Sequence, residues 1–351
     1  MSLRTFIRRS KRKGVHYDVH SRLKYHTALS RLKRSSPRGR MSFSDRWKAL
    51  RNWGYTGYLF NRYYAGCSGV PSPEYVPENF YKWHVLPALN PKSVSRHVGE
   101  KAMLDELFPG HSPTFLTRHA GVWRSGGEST DDARARSILC GHLGSPVVVK
   151  KSDSARGNDI HFFSAGDEQR IFDAIDCRED LCIQHAIVQH PLMSAYHSAS
   201  VNTVRLLTFS FRGDIRLLGS FARFGVGGAN VDNLHAGGIM VKLDGCGRST
   251  GDGYDLELRA HAAHPDSGRP FRSLEVHCWQ QLQDTAMELH RHVAEVGIIG
   301  WDFAIGADRN WLLECNTEHP SLFVVQFQSP PVFSDLLPDM YEAVTGKRFV
   351  I

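Results

Sequence analysis

Residues 301–316 read WDFAIGADRNWLLECN, two apolar runs separated by a polar turn. Asp302 lies in the first run, Glu314 lies in the second, and Asn316 follows two positions later. The pattern predicts a hairpin of two strands, Trp301–Ile305 and Trp311–Cys315. Side chains two apart on a strand point to one face, so we expect Glu314 and Asn316 to share a face beside Asp302.

Two carboxylates and an amide oxygen at one point form a hard oxygen site, which suits Mg²⁺. The alternative is a surface hairpin with ordinary polar residues. Its apolar side chains argue against that alternative: Trp301, Phe303, Ile305, Leu312 and Leu313. Because carboxylates in apolar surroundings are costly unless a cation pairs with them, the hairpin predicts a metal site formed by Asp302, Glu314 and Asn316.

The centre of the chain is rich in short β-branched and apolar runs. Strands are predicted at 147–150, 181–184, 204–209, 215–224 and 238–243, and a helix at 275–296. Many strands lie close enough along the chain for antiparallel pairing, which favours an α+β fold over a doubly wound parallel sheet. Further helices are predicted at 97–108, carrying Lys101, and after Ser44 as N-cap, through Trp47, Leu50 and Trp53.

A candidate phosphate-binding segment follows the run Val147–Val149. Lys150 ends that run, and a loop of small residues spans 152–158. Such a loop can place backbone N–H groups against phosphates, with a lysine on the adjoining strand. The segment does not match the Walker A pattern, and a plain polar turn between strands is the competing interpretation.

The charge is concentrated at the N-terminus. Residues 1–51 hold 16 Lys and Arg against two acidic residues, so this arm carries +14 while the whole chain carries +7. The arm would be attracted to anionic lipid, RNA or an acidic polymer, and a solvated helical face is the competing interpretation.

Composition argues against several other classes of protein. No apolar run approaches the roughly 20 residues that span a bilayer, and the basic N-terminus lacks the apolar stretch of a signal peptide. The seven cysteines are scattered without a CxxC, which is typical of reduced thiols rather than a disulfide framework. No HExxH or Cys/His spacing indicates zinc.

These features occur in the order found in ATP-grasp enzymes, and Leu312–Thr317 resembles their Glu-x-Asn signature. The stretch 45–330 resembles the sugar-transfer-associated ATP-grasp family in particular. The matching segments are Leu89-Asn90-Pro91 ahead of Lys101, Ser200–Arg205, Val231-Asp232-Asn233 with Gly237-Gly238, His264-Pro265 and Gly300-Trp301-Asp302. The resemblance implies an ATP-grasp fold, in which two α+β lobes clamp ATP, here with a basic helical N-terminal extension.

The resemblance also implies roles for individual residues. Lys101 and Lys150 would contact ATP phosphates from the two lobes, and Asp302, Glu314 and Asn316 would hold Mg²⁺. Arg205, with Lys150, would act at the transferred phosphoryl group. The remaining nucleotide contacts would come from the loop, with Ser152, Ser154, Gly157 and Asn158, and from an adenine hinge, Gln184, His185, Ala186 and Ile187.

Some assignments have competitors. Arg205 could instead pair structurally with an acid such as Asp232. Candidates for the substrate side are Arg223, Asp232, Asn233 and His235. Both His235 and His264 could be substrate contacts or acid–base groups, although satisfied structural histidines are more common.

The predicted domains are a basic extension (1–50), an acceptor-side domain (51–115), a small ATP-grasp lobe (116–190) and a large lobe (191–351). The resemblance implies an ATP-dependent carboxylate–amine ligase that forms an acyl phosphate, with small-molecule or glycan substrates in surface-polysaccharide or related biosynthesis. A kinase of the same fold and a nucleic-acid-binding protein are the alternatives. The expected location is cytoplasmic, with the arm able to place it at the inner membrane face.

Overall fold

A computed structural model describes residues 39–152, 160–164, 166–176 and 179–351. Within these ranges the chain forms two compact units, one of residues 39–84 with 326–351 and the other of residues 85–325. The four predicted domains remain predictions. No helix in the described ranges is both long enough and apolar enough to cross a membrane.

The helices and strands follow in chain order. The helices are α1 Phe43–Ser68, α2 Glu78–Phe80, α3 Leu86–Leu89, α4 Lys92–Val98, α5 Leu104–Leu107, α6 Asp132–His142, α7 Glu168–Ile175, α8 Pro191–Ser194, α9 Trp279–His292, α10 Leu322–Phe327 and α11 Leu337–Thr345. The strands are β1 Thr114–His119, β2 Val122–Ser125, β3 Glu128–Thr130, β4 Val147–Lys151, β5 Ile160–Phe163, β6 Leu181–His185, β7 Thr203–Phe211, β8 Asp214–Phe224, β9 Ile239–Leu243, β10 Ser249–Tyr254, β11 Ala260–His261, β12 Ile298–Ile305 and β13 Asn310–Asn316. Short 3₁₀ turns and one π-helical turn link them at Tyr81–Val85, Lys101–Met103, Leu234–Ala236, Phe271–Ser273 and Ser334–Leu336.

The first unit is built around α1. Its N-cap is Ser42, whose hydroxyl accepts a hydrogen bond from the Asp45 N–H at 3.0 Å, so the prediction of Ser44 as the cap was wrong by two residues. Gly54, with φ +71°, kinks the helix. On the inner side, Trp53 lies against the rings of Phe80, Tyr341 and Phe349 at 4.8–5.4 Å, which fixes how α1 is rotated.

The smaller sheet of the second unit has the order β3-β2-β1-β6-β4-β5, and all its pairs are antiparallel. One face is an apolar core that α6 and α7 cover; it includes Val147, Val149 and Ile183 with Leu139 and Ile171. Because side chains alternate along a strand, the opposite face carries Val148 and Lys150 of β4 and Cys182 and Gln184 of β6.

The larger sheet has the order β11-β10-β9-β8-β7-β12-β13. Helix α9 packs on its apolar face, whose buried side chains include Leu206, Phe224, Val241, Trp301 and Phe303. On the opposite face, the strand register places one row of side chains across five strands: Glu314, Asp302, Arg205, Phe221 and Lys242.

The predicted α+β class is confirmed, since helices cover sheets whose described pairs are antiparallel. Two helix predictions were wrong in extent. The segment 97–108 is broken at Glu100, whose backbone is extended (ψ 120°), so one helix ends at Val98 and a 3₁₀ turn begins at Lys101. The helix at 275–296 begins at Trp279, since the Val276 N–H bonds the Gly247 carbonyl instead.

Candidate active site

The predicted hairpin forms from β12 and β13. Asp302 lies directly opposite Glu314, and Asn316 lies opposite Gly300, so the three side chains share the polar face of the larger sheet. A register shift between Asp302 and Phe303 keeps the apolar residues of both strands on the other face. The three side chains therefore lie on one face, and their role as metal ligands stays a prediction.

Asp302 is buried and held by two arginines. Its Oδ1 accepts Arg205 Nε at 2.5 Å, and its Oδ2 accepts Arg205 Nη2 at 2.5 Å and Arg223 Nη2 at 2.9 Å. The Asn316 amide donates to the same Oδ2 at 3.1 Å. Burial alone would raise the pKa of Asp302, but the charges of Arg205 and Arg223 and their hydrogen bonds hold it below its ordinary value.

Arg223 links this carboxylate to a second one. Its Nη2 and Nε donate to the Thr203 hydroxyl at 2.7 and 3.0 Å, and its Nε lies 3.3 Å from Asp232 Oδ2. Asp232 also accepts the Thr203 N–H at 3.1 Å and the Thr203 hydroxyl. Burial raises the pKa of Asp232, although Arg223 opposes the shift. The structural partner of Arg205 is therefore Asp302, not Asp232 as the alternative supposed.

Glu314 is more open than Asp302. Its side chain is 36% exposed, and its Oε1 lies 3.5 Å from Lys101 Nζ. Lys101 reaches it from the 3₁₀ turn Lys101–Met103, which follows Gly99. The same turn is tied to the smaller sheet, because the Ala102 N–H donates to the Ser152 hydroxyl at 3.2 Å and that hydroxyl bonds the Glu100 carboxylate.

Lys150 and Lys151 point in opposite directions. Lys150 is opposite Cys182, on the polar face of the smaller sheet, where the charges of Glu314 and Lys101 both influence it. Lys151 extends to the surface, with its Nζ 2.6 Å from Glu179 Oε2. Burial lowers the pKa of Lys150, and the carboxylate of Glu314 opposes the shift. The inward lysine is Lys150.

The predicted hinge continues this polar face. Gln184 is buried and donates to the Thr114 hydroxyl at 2.8 Å. His185 turns to the helix side, where its ring lies 4.7 Å from Phe115 and 4.8 Å from His142, and burial lowers its pKa. The main-chain N–H groups of His185 and Ala186 bond the carbonyls of Pro113 and Pro146 at 3.1 and 3.0 Å.

The remaining candidates lie outside this cluster. Asn233 caps the turn Leu234–Ala236, accepting the His235 N–H at 3.0 Å, and His235 is exposed. His264 is buried with its Nε2 2.8 Å from the Gly225 carbonyl, and burial lowers its pKa, so it is a structural histidine. Ser154, Gly157 and Asn158 fall outside the described residues.

Two residues of the site were not predicted from the sequence. Thr203 bridges Arg223 and Asp232, and Ser321 accepts Arg205 Nη1 at 3.0 Å from a backbone with φ +72°. Positive φ at a non-glycine residue is costly and often marks a functional position. Thr203 lies two positions before Arg205, so strand alternation was a usable signal; nothing in the sequence distinguishes Ser321.

The donors present fit a hard cation. Each carboxylate oxygen offers two lone-pair directions, and Asp302 Oδ1 accepts one hydrogen bond, from Arg205. Glu314 and Asn316 are both part-exposed beside it. The described residues show no cluster of three or more His, Cys, Asp and Glu side chains that could hold a metal. In proteins, Mg²⁺ commonly keeps waters and substrate phosphates among its ligands.

The site as a whole favours an anion. Four basic side chains, Lys101, Lys150, Arg205 and Arg223, are grouped with the carboxylates of Asp232, Asp302 and Glu314. The four positive charges exceed the three negative ones by one, so the cluster attracts a further negative charge. A polyphosphate carries that charge and accepts hydrogen bonds from both lysine and arginine.

Comparisons with known proteins give a family. The profile described as sugar-transfer associated ATP-grasp matches residues 86–337, well over half of the chain. No curated protein matches the sequence. Among solved structures, a biotin carboxylase complex from Campylobacter jejuni shares 12% identity at a TM-score of 0.47, over 75% of this chain and 50% of that one. A D-alanine–D-alanine ligase from Bacillus anthracis shares 11% at 0.40, over 72% and 68%. The chain thus spans about half the length of the carboxylase.

Proposed function

Since the chain belongs to the sugar-transfer-associated ATP-grasp family, we propose that it is an ATP-dependent carboxylate–amine ligase that forms an amide through an acyl phosphate. The observation that carries the proposal is the convergence of Lys101, Lys150, Arg205 and Arg223 on the face that holds Asp302 and Glu314. This arrangement supports binding of a nucleotide triphosphate.

Lys101 and Lys150 are proposed to bind the ATP phosphates. Burial disfavours the charged form of Lys150, and an arriving phosphate would stabilise its ammonium by supplying an opposite charge. Lys101 already lies 3.5 Å from Glu314 and would exchange part of that contact for a phosphate oxygen. Ser152 would support the segment carrying Lys101, and the loop with Ser154, Gly157 and Asn158 is proposed to cover the triphosphate.

The adenine is proposed to bind at the hinge Gln184–Ile187. The N–H groups of His185 and Ala186 already bond proline carbonyls, and among the described residues no main-chain hydrogen bond involves Ile187. Ile187 therefore best supplies the main-chain contact that reads the adenine edge. Gln184 would line the pocket, oriented by Thr114.

Magnesium is proposed to bind one oxygen of Asp302 together with Glu314 and Asn316. When bound, it would neutralise phosphate charge and orient the triphosphate. Arg205 and Arg223 fix the Asp302 carboxylate, so this ligand would be preorganised before the nucleotide arrives.

In the proposed reaction, a substrate carboxylate attacks the γ-phosphorus of ATP, and the bond to the β-phosphate oxygen breaks. The products of this step are an acyl phosphate and ADP. An amine then attacks the acyl carbon, loses a proton and expels phosphate. Arg205 and Lys150 would offset charge on the transferred group, and positioning supplies most of the rate, as in other phosphoryl transfers.

The substrates are proposed from the family description alone. An amino acid or amino sugar joined to a carboxylate, in surface-polysaccharide or related biosynthesis, suits a sugar-transfer-associated enzyme. Arg223, Asp232, Asn233 and His235 remain proposed substrate-side residues. The basic arm is proposed to hold the enzyme at an anionic surface, either membrane or polymer.

The test is ATP turnover with a panel of carboxylates and amines in the presence of magnesium. The ligase proposal predicts ADP release that depends on the carboxylate, and an amide once the amine is added. ADP release with an alcohol acceptor and a phosphorylated product would instead establish the kinase alternative.

A matched pair of variants tests the site. Glu314→Ala should reduce ATP turnover by at least about 100-fold, because it removes a proposed magnesium ligand. Glu318→Ala, an exposed acid four residues later, should retain activity within about twofold. Full activity in Glu314→Ala would contradict the proposed site.

A further inference from the structure

An apolar stripe runs along the outer side of the first turns of α1. Phe43, Trp47 and Leu50 are 86, 50 and 43% exposed, values that are high for such large apolar side chains. They are spaced four and three residues apart, so they project within about 60° of one another around the helix.

Arginines flank the stripe on both sides. At about 100° per residue, Arg46 lies roughly 60° to one side of Phe43, and Arg51 lies roughly 80° to the other. Both are exposed, and the Arg51 guanidinium lies 5.2 Å from the centre of the Trp47 ring. Asp45, the sole acidic residue in the α1 sequence, projects from the far side.

The stripe does not arise from a loosely held helix. The opposite side of α1 is anchored, because the Asn52 side chain exchanges hydrogen bonds of 2.9 and 3.0 Å with the main chain of Val350. The Tyr341 hydroxyl donates to the Asn52 carbonyl at 2.9 Å. The helix is therefore fixed in a rotation that keeps Phe43, Trp47 and Leu50 outward.

We propose that this stripe, Phe43, Trp47 and Leu50 flanked by Arg46 and Arg51, is a docking surface for an anionic lipid bilayer. Aromatic and aliphatic side chains would enter the headgroup–acyl boundary, and the arginines would extend to lipid phosphates. The inference goes beyond the proposed catalytic function and does not depend on it.

The charge distribution favours a bilayer over two other candidate occupants, the N-terminal arm and a second copy of the chain. Residues 1–38 hold twelve Lys and Arg against one Asp, so like charge opposes docking of that arm on a stripe edged by arginines. A second copy would bring Arg46 and Arg51 of both chains together, since a two-fold contact pairs each surface with itself. An anionic membrane attracts the arm and the stripe alike.

The experiment is co-sedimentation of the full chain with phosphatidylcholine vesicles, with or without phosphatidylglycerol, at low and high salt. We expect binding that requires the anionic lipid and weakens as salt rises. The triple variant Phe43→Ser, Trp47→Ser, Leu50→Ser should bind at least about tenfold more weakly. The double variant Arg46→Glu, Arg51→Glu should lose at least about 25-fold, from roughly fivefold for each positive charge removed, and the two added negative charges should weaken binding further.

Two controls match these changes elsewhere on the surface. Val188→Ser alters a side chain that is 75% exposed, and Arg134→Glu alters an exposed arginine of α6. Both should bind within about twofold of the unchanged protein. Circular dichroism and a thermal melt confirm that each variant is folded, and the arginine variant tests the surface independently of the apolar one.

Three results would overturn the proposal. In the first, the full chain ignores anionic vesicles. In the second, the triple variant binds as tightly as the control variants, which would assign binding to the arm alone. In the third, the protein is a dimer that the triple variant converts to monomer, or it binds an acidic polymer such as heparin but not vesicles.

Discussion

The two sheets of the second unit handle buried charge in opposite ways. On the larger sheet, Arg205 and Arg223 are neutralised by Asp302 and Asp232 within the fold itself. On the smaller sheet, Lys150 is half-buried opposite Cys182, and desolvation lowers its pKa although the charge of Glu314 opposes the shift. One sheet thus carries a charge network that is complete without ligand, whereas the other carries a cation whose full partner is proposed to be the nucleotide.

The charge network of the larger sheet is tested most directly at Asp302, the carboxylate that Arg205 and Arg223 share. Asp302→Ala would leave Arg205 and Arg223 buried without their shared carboxylate, which should lower the free energy of unfolding by about 3–5 kcal/mol. Urea denaturation measures the loss. Asp308→Ala, in the exposed turn of the same hairpin, should change stability by less than about 0.5 kcal/mol. Equal stabilities for the two variants would show that the arginine network is not held by Asp302.

For Lys150 of the smaller sheet, we expect a substitution to lower the affinity for ATP rather than the stability of the fold. Lys150→Met should weaken ATP binding by about 10- to 100-fold, since a charge-assisted hydrogen bond contributes about 1.5–3 kcal/mol. Lys151→Met should bind ATP within about twofold of the unchanged protein, because that lysine pairs with Glu179 at the surface. Calorimetric titration of both variants decides which lysine faces the nucleotide, and a reversed order would contradict the assignment.

The lowered pKa of Lys150 predicts a pH dependence with a definite sign. Between that lowered value and the ordinary 10.5, the unfolded chain binds more protons than the folded one, so stability should rise with pH. Lys150→Met should lack this contribution, while Lys242, whose pKa burial lowers to about 8, contributes equally to both proteins. Denaturation across the alkaline range measures how the free energy of unfolding of the unchanged protein and of Lys150→Met depends on pH. The difference between the two slopes should shrink when ATP is bound. An unchanged pH slope in the variant would show that Lys150 is not desolvated.

The smallest effect is expected at the surface pair beside it. Lys151 Nζ and Glu179 Oε2 are 2.6 Å apart, but both side chains are more than a third exposed. Solvent screening and side-chain entropy limit such a pair to about 1 kcal/mol or less. A double-mutant cycle measures the coupling. A coupling energy as large as the stability loss expected for Asp302→Ala would show that surface and buried ion pairs in this protein do not differ in strength.

The elements predicted best from sequence are those with local, periodic patterns. The hairpin of β12 and β13 was recognisable because two apolar runs flank a short turn and because Glu314 and Asn316 are two apart. The central strands were found for the same reason, although their ends differ by a few residues. Such patterns depend on neighbours along the chain, so they can be recognised without knowledge of the tertiary structure.

The errors arose where distant segments decide the structure. The helix expected at 97–108 is interrupted at Glu100, and the neighbouring Gly99 packs closely against Thr317, a residue more than 200 positions away. The partner of Arg205 was misassigned in the alternative interpretation because strand order, not sequence distance, places Asp302 beside it. Ser321 was missed because its loop carries no periodic signal.

Asn90 forms hydrogen bonds with two segments that lie more than 200 residues further along the chain. Its amide donates to the carbonyls of Ile298 and Thr317 at 2.7 Å each, and its Oδ1 accepts the Ile298 N–H at 2.9 Å. Closing a loop of about 200 residues is entropically costly and slow, whereas the adjacent strands β12 and β13 can pair early. We therefore expect the segment bearing Asn90 to dock late in folding. Lys101 lies just beyond it, so the final folding step would also bring that lysine to Glu314.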